Sequence, residues 1–237
     1  MKKVLLIDSG SRGINILKEC VKIAPYCDFL MFCDDKNMPY GNKTKEQLLK
    51  ITFDNLDMIS SFFKFEVVVF ACNTLTSVCV VECRKKYPNI VFIGTEPAIK
   101  PALQQFKEED ILLLATENTI RYNNLMNSCK NVRKIGMEGL AHDIDVNLAD
   151  LSVLRPRILA VLNGESVKAI VLGCTHYVAL ADMIGEILPS VQLFDGAAGV
   201  AKRLLSFVKS EVEEYQVQIM VSENPEFLSK LWWYYKS

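Results

Sequence analysis

Short apolar runs alternate with longer amphipathic stretches along the chain, which predicts an α/β protein with a mainly parallel sheet. Val4–Ile7, Asp28–Cys33, Val67–Ala71, Val91–Ile93, Ile111–Ala115, Ala169–Leu172, Gln192–Phe194 and Val217–Val221 read as strands. The runs at 67–71 and 169–172 contain no polar residue, as expected of strands covered on both faces. Ile14, Leu17, Val21 and Ala24 mark one face of a helix, and Leu48, Leu49, Phe53, Leu56 and Ile59 mark the core face of another over Lys43–Phe63. Further helices are expected at Thr74–Lys86, stopping before Pro88, at Tyr177–Leu188 and at Val200–Ser210. Between Asn131 and Asn147 the pattern is weak, and the segment reads as loop.

One stretch echoes another. Val67-Val68-Val69-Phe70-Ala71-Cys72-Asn73-Thr74 resembles Ala169-Ile170-Val171-Leu172-Gly173-Cys174-Thr175-His176. In each, a buried strand ends at a small residue, then a cysteine, then polar groups able to open a helix. Chance explains the shared apolar residues more easily than the shared ending. Two such units suggest two similar α/β halves, each with a thiol at the carboxyl end of a strand, where open α/β sheets bind ligands.

Composition narrows the class without naming a ligand. Half of the 237 residues are apolar and 23% are charged, as in a globular protein with a sizeable core. The formal net charge of −1 gives no pull towards nucleic acid or an anionic membrane. Val4–Ile7 is too short for the core of a signal peptide, and no run is long enough to span a bilayer, so a cytoplasmic location is expected. Without an export signal, the eight cysteines read as free thiols rather than a disulfide framework. Cys79 and Cys83 stand four apart on a helix, but no second pair or nearby histidine completes a metal site.

Cys72 and Cys174 differ from the other six. A thiol at a strand–helix junction faces free N–H groups and the positive end of a helix dipole, and both lower its pKa. Asp8, followed by Ser9 and Gly10, also ends a strand, and His176 lies two residues beyond Cys174. One thiol thus has a carboxylate helper and the other an imidazole helper. Two opposed acid–base thiols suit removal of a proton from one face of a carbon and delivery to the other, that is, racemisation or epimerisation. Asn73, Thr74, Thr175 and the nearby helix N-termini offer donors for substrate carboxylates. Cys72, Cys174 and His176 as zinc ligands form a weaker alternative, since they leave the surrounding residues unused.

The same residues carry a family resemblance. Asp8-Ser9-Gly10 with Gly13, Pro39-Tyr40-Gly41-Asn42-Lys43 with Asp34 before it, Ala71-Cys72-Asn73-Thr74 and Gly173-Cys174-Thr175-His176-Tyr177 resemble, in this order, motifs of the aspartate/glutamate racemase superfamily, and within it those of glutamate racemase. Glu96-Pro97-Ala98, Thr116-x-x-Thr119 and Val221-Ser222-Glu223-Asn224-Pro225 add to the likeness, which spans nearly the whole chain.

The resemblance implies two similar parallel-sheet α/β domains related by a pseudo-twofold axis, with the active site in the cleft between them. Residues 1–94 and 209–237 would form a discontinuous first domain, and 95–208 the second. It implies that Cys72 and Cys174 are the bases, assisted by Asp8 and His176. Ser9, Pro39, Tyr40, Gly41, Asn42, Asn73, Thr74, Thr116, Thr119 and Thr175 would line the substrate site. No metal or organic cofactor is expected, and the implied partners are glutamate and a second copy of the chain in a homodimer.

Some positions depart from the family pattern. Arg12 stands where glycine is usual, and Asn37 where arginine is common. The proline-containing segment that leads to an acidic residue near the site has its counterpart in Met137–Asp145, which makes Asp145 the candidate auxiliary acid, in competition with His142 and Asp143. Racemisation of aspartate, or ligand binding without catalysis on the same scaffold, are the alternatives to glutamate racemisation. The aromatic run Trp232–Tyr235 is expected to pack under a terminal helix or in a dimer interface.

Overall fold

The computed structural model describes residues 2–209 and 214–236. In chain order it contains β1 (Lys2–Asp8), α1 (Ile14–Ile23), β2 (Cys27–Cys33), α2 (Lys45–Ser60), β3 (Val67–Phe70), α3 (Asn73–Lys86), β4 (Val91–Gly94) and α4 (Ile99–Leu103). There follow β5 (Ile111–Ala115), α5 (Glu117–Tyr122), α6 (Asn124–Ser128), β6 (Arg133–Gly136), α7 (Leu140–Val146), α8 (Arg155–Leu162), β7 (Ala169–Gly173) and α9 (Ala181–Ile187). The last elements are β8 (Gln192–Phe194), α10 (Ala197–Leu204), β9 (Val217–Val221) and α11 (Pro225–Lys236).

The strands form two parallel sheets, ordered β4-β3-β1-β2-β9 and β6-β5-β7-β8. Alternation along β1 sends Val4 and Leu6 to a core shared with α1, α10 and α11, and Leu5 and Ile7 to a core shared with α2 and α3. Helices therefore cover both faces of the first sheet, which is why the middles of its central strands, Val4–Ile7, Phe29–Phe32 and Val67–Phe70, carry no polar residue. The second sheet repeats the arrangement. Leu112 and Leu114 face α7, α8 and α9, while Ile111, Leu113 and Ala115 face α4. The entry to α2 is fixed by a capping box, in which Thr44 Oγ1 accepts from the Gln47 N–H and Gln47 Oε1 accepts from the Thr44 N–H.

Several expectations need correction. The segment 131–147 is not a loop, since it contains β6 and α7. Strand β6 lies at a sheet edge with no fully buried side chain, so it lacks the apolar run that betrays its central neighbours. The helix expected over Tyr177–Leu188 is a 3-10 segment at Thr175–Leu180 followed by the short α9. Helix α10 falls inside the 95–208 stretch assigned to the second domain. Its buried face (Val200, Ala201, Leu204), with Val208, nevertheless belongs to the first core against α1. The final residue of the helix expected there, Ser210, lies outside the described residues. Trp232–Tyr235 are part of α11 itself. Trp232, Tyr234 and Tyr235 pack on the first core, and Trp233 stays exposed.

The two connections between the sheets touch. A Cβ on Gly196 would stand 2.8 Å from the Glu96 carbonyl oxygen, so only glycine lets the returning chain lie against the outgoing one. Among the described residues no helix is long and apolar enough to cross a membrane.

If α10 belongs energetically to the first core, Leu204→Ala should lower stability by about 2–5 kcal/mol in denaturant unfolding. Hydrogen exchange should then show lost protection in α1 and leave β5 and β7 unaffected. Loosening confined to the second sheet would contradict that placement.

Candidate active site

Parallel strands deliver their chemistry at their carboxyl ends. Asp8 closes β1, and Cys72 follows β3 as the N-cap of α3. Thr116 follows β5 and caps α5, accepting from the Thr119 N–H at 3.1 Å. Cys174 follows β7 and precedes the 3-10 segment. The carboxyl edges of the two sheets meet around a cavity of about 30 Å³, lined by Ser9, Pro39, Tyr40, Gly41, Asn42, Cys72, Thr74, Thr116, Cys174 and His176. That volume holds about one or two waters.

Four expected site residues stand just behind this lining. Thr119 shares its hydroxyl with Thr116 at 2.9 Å, and Thr116 with Thr74 at 2.8 Å, a polar cluster that crosses between the domains. Asn73 and Thr175 line an adjoining cavity of about 390 Å³ that also reaches Cys174 and Arg12. Asp8 is fully buried and accepts hydrogen bonds from the Ser9 N–H at 2.8 Å and the Gly13 N–H at 2.6 Å.

The Pro39–Asn42 segment is held from below. Buried Asp34 accepts from Tyr40 Oη at 2.7 Å, and from the side-chain amides of Asn37 and Asn55 at 3.0 Å. Neutral Asn37 thus takes a place beside Asp34 where the sequence pattern suggested arginine. From the other domain, the Asn118 amide donates to the Lys43 carbonyl at 2.8 Å and closes the segment over the cavity.

The two thiols have different surroundings. The Cys72 thiol is pushed well above its ordinary pKa, first by burial and then by the charge of Asp8, while the Leu75 N–H and the Ser9 hydroxyl act in the opposite sense. The helix terminus therefore does not make Cys72 a low-pKa thiol, contrary to the sequence expectation, because desolvation outweighs the dipole. Cys174 lies 3.8 Å from His176 Nδ1, and His176 Nε2 lies 2.9 Å from Asp145 Oδ2. Both members of that pair are about 4% exposed. Burial works against the imidazolium, but the Asp145 carboxylate beside it overrides this and raises His176 well above its usual value. Burial likewise works against the Asp145 carboxylate, and the His176 charge, the hydrogen bonds from His176 and Ser11, and Arg12 together bring it below its usual value. The pair is an ionised His–Asp couple behind Cys174. Among the competitors for that acidic role, His142 is exposed and Asp143 pairs with Arg157.

Sequence reasoning missed Glu117, Met137, Glu138, Gly139 and Ala141 as lining residues. All but Glu117 fall in the segment misread as loop. It also missed Ser11, whose Oγ donates to Asp145 Oδ1 at 2.6 Å. Gly10 is needed because a Cβ there would lie 2.6 Å from both Asp145 Oδ2 and His176 Nε2. Among the described residues no group of three or more His, Cys, Asp and Glu side chains could hold a metal ion.

No protein-family model matches the chain. Curated relatives do. The chain is 33% identical over 207 residues to a glutamate racemase of Clostridium novyi, covering 83% of this chain and 80% of that protein. It is 33% identical over 227 residues to one of Clostridium acetobutylicum, covering 92% of this chain and 87% of that protein. The chain belongs to the glutamate racemase family. The fold agrees. A glutamate racemase structure from Bacillus anthracis superposes with a TM-score of 0.85 at 20% identity, covering 98% of this chain and 94% of that one. The Escherichia coli glutamate racemase in complex with L-glutamate and an activator gives 0.83 at 24% identity, covering 99% and 95%.

In this racemase-family chain, burial lifts the Asp8 carboxyl from 3.8 to about 6, with the Asp145 charge adding to the rise and His176 and the Gly13 and Ser9 N–H groups restraining it. The folded state therefore holds this proton more tightly than the unfolded chain. The resulting stability is complete below 3.8 and is lost as pH rises through about 6. Relative to Asp8→Asn, the wild type should lose about 3 kcal/mol across that window, measured by denaturant unfolding at a series of pH values. A pH-independent difference would show that Asp8 does not titrate there.

Proposed function

We propose that the protein interconverts L- and D-glutamate without a cofactor, with Cys72 and Cys174 acting on opposite faces of the substrate Cα. The observation that carries this reading is the placement of two thiols from two sheets on one cavity, each with its own acid–base partner. Asp8 and Ser9 serve Cys72, and the His176–Asp145 couple serves Cys174. The glutamate racemases to which the chain is related supply the substrate assignment.

In one direction the Cys174 thiolate, held beside the His176 imidazolium, takes the Cα proton. The C–H electron pair stays on the substrate and spreads into its α-carboxylate. The Cys72 thiol then delivers its own proton to the opposite face, leaving Cys72 as thiolate and Cys174 as thiol. The reverse direction exchanges the roles, with Asp8 drawing the proton from Cys72. A carbon acid this weak needs fixed donors on the carboxylate where charge develops. The Asn73 amide and the Thr74 and Thr175 hydroxyls stand beside the thiols for that purpose. Thr116, Thr119 and the Tyr40–Asn42 backbone receive the side-chain carboxylate. D-Glutamate made this way would serve cell-wall peptide synthesis, and the homodimer implied by the resemblance is part of the same proposal.

Purified protein with L-glutamate in D₂O should lose the Cα proton signal and accumulate D-glutamate, and Cys72→Ser and Cys174→Ser should each lower racemisation by at least about 10³-fold. Exchange with aspartate but not glutamate would reassign the substrate. Racemisation that survives either substitution would remove the two-thiol mechanism.

A further inference from the structure

Arg12 has no part in the chemistry just described, and its position is unusual. It sits in the turn between β1 and α1, beside Ser11, whose hydroxyl holds Asp145. Its guanidinium carbon lies 4.8 Å from the centroid of the Tyr234 ring on α11. Its buried Nε has no hydrogen-bond partner among the described residues, a state shared only with Thr175 Oγ1. Hydrogen bonding at Nε therefore does not explain where the side chain rests. Stacking on an aromatic face and attraction to a nearby carboxylate do, and guanidinium is suited to both.

We propose that Arg12 is a positioning residue for the Asp145–His176 couple, clamped by Tyr234, so that the terminal helix acts on the active site without touching substrate. The inference rests on the racemase reading of that couple. The chain of contact is short. Tyr234 stacks on the guanidinium, Arg12 follows Ser11, whose hydroxyl donates to Asp145 Oδ1 at 2.6 Å, and Asp145 Oδ2 lies 2.9 Å from His176 Nε2 beside Cys174. Burial lowers the Arg12 pKa, whereas Tyr234 and Asp145 raise it, and Arg12 in turn is one of the groups that keep Asp145 ionised.

Among the described residues, several charged and titratable groups act on Asp145. Asp8 approaches from β1, Cys33 from the end of β2, His176 from the segment after β7, and Tyr234 from α11. Arg12 adds a second cation beside His176. Removing it leaves one imidazolium to balance two buried carboxylates, and the proton affinity of Asp145 must rise.

The test follows the Asp145 carboxyl directly, by ¹³C NMR of aspartate-labelled protein, with the resonance assigned by its absence in Asp145→Asn. In Arg12→Gln its titration midpoint should move up by about one pH unit, and in Arg12→Lys most of that shift should be reversed. Turnover of glutamate by Arg12→Gln should fall about tenfold in kcat with KM unchanged. Tyr234→Leu should produce a similar loss, and the double variant should lose little more than either alone. An Asp145 midpoint that stays at the wild-type value in Arg12→Gln would overturn the proposal, as would fully additive losses in the double variant. If the wild type racemises no amino acid, the functional reading fails while the NMR titration still decides the role of Arg12.

Discussion

Taking the His176 imidazolium and the Asp145 carboxylate out of water costs several kcal/mol per charge, and much of the molecule's layout serves to offset that cost. Both residues belong to the second sheet's domain, on α7 and on the segment after β7. The groups that accommodate them come from the first. Ser11 donates to Asp145, Gly10 lacks the Cβ that would collide with both, and Arg12 brings a second positive charge. The ion pair is thus satisfied only when the two domains are joined. The join between the domains and the His176–Asp145 pair share one set of contacts.

That dependence also separates the two thiols. Cys174 has a charged partner pair behind it, whereas Cys72 has Asp8, a carboxyl that burial lifts to about 6. A site that removes a proton from either face needs a base on each side, but not the same base. The two thiols therefore have unlike neighbours, an ion pair beside Cys174 and a buried acid beside Cys72.

Much of this was legible in the sequence, for physical reasons. Central parallel strands must be apolar on both faces, so β3, β5 and β7 stand out, and the residues just past their ends mark the site. Edge strand β6 obeys no such constraint, and Arg133–Gly136 passed for loop together with the lining residues that follow. Asp145 could be named only through the family likeness, because nothing near it in sequence shows that it meets His176. The low thiol pKa expected at Cys72 failed because a helix terminus is visible in sequence and depth of burial is not. The segment Ser222-Glu223-Asn224 gave no hint of its task, which is to donate backbone N–H groups to Asp35 and tie β9 to the loop that carries Tyr40.

The contact between Gly196 and the Glu96 carbonyl has a mechanical consequence. Two chain crossings that touch at one place form a spine between the two sheets. Asn73 is fastened near that spine through its bond to the Thr95 carbonyl, and Cys174 borders the same region. The Pro39–Asn42 lip, closed by Asn118, lies at the fore-edge. Parting of the two sheets about that spine would move the lip farther than the residues beside the spine.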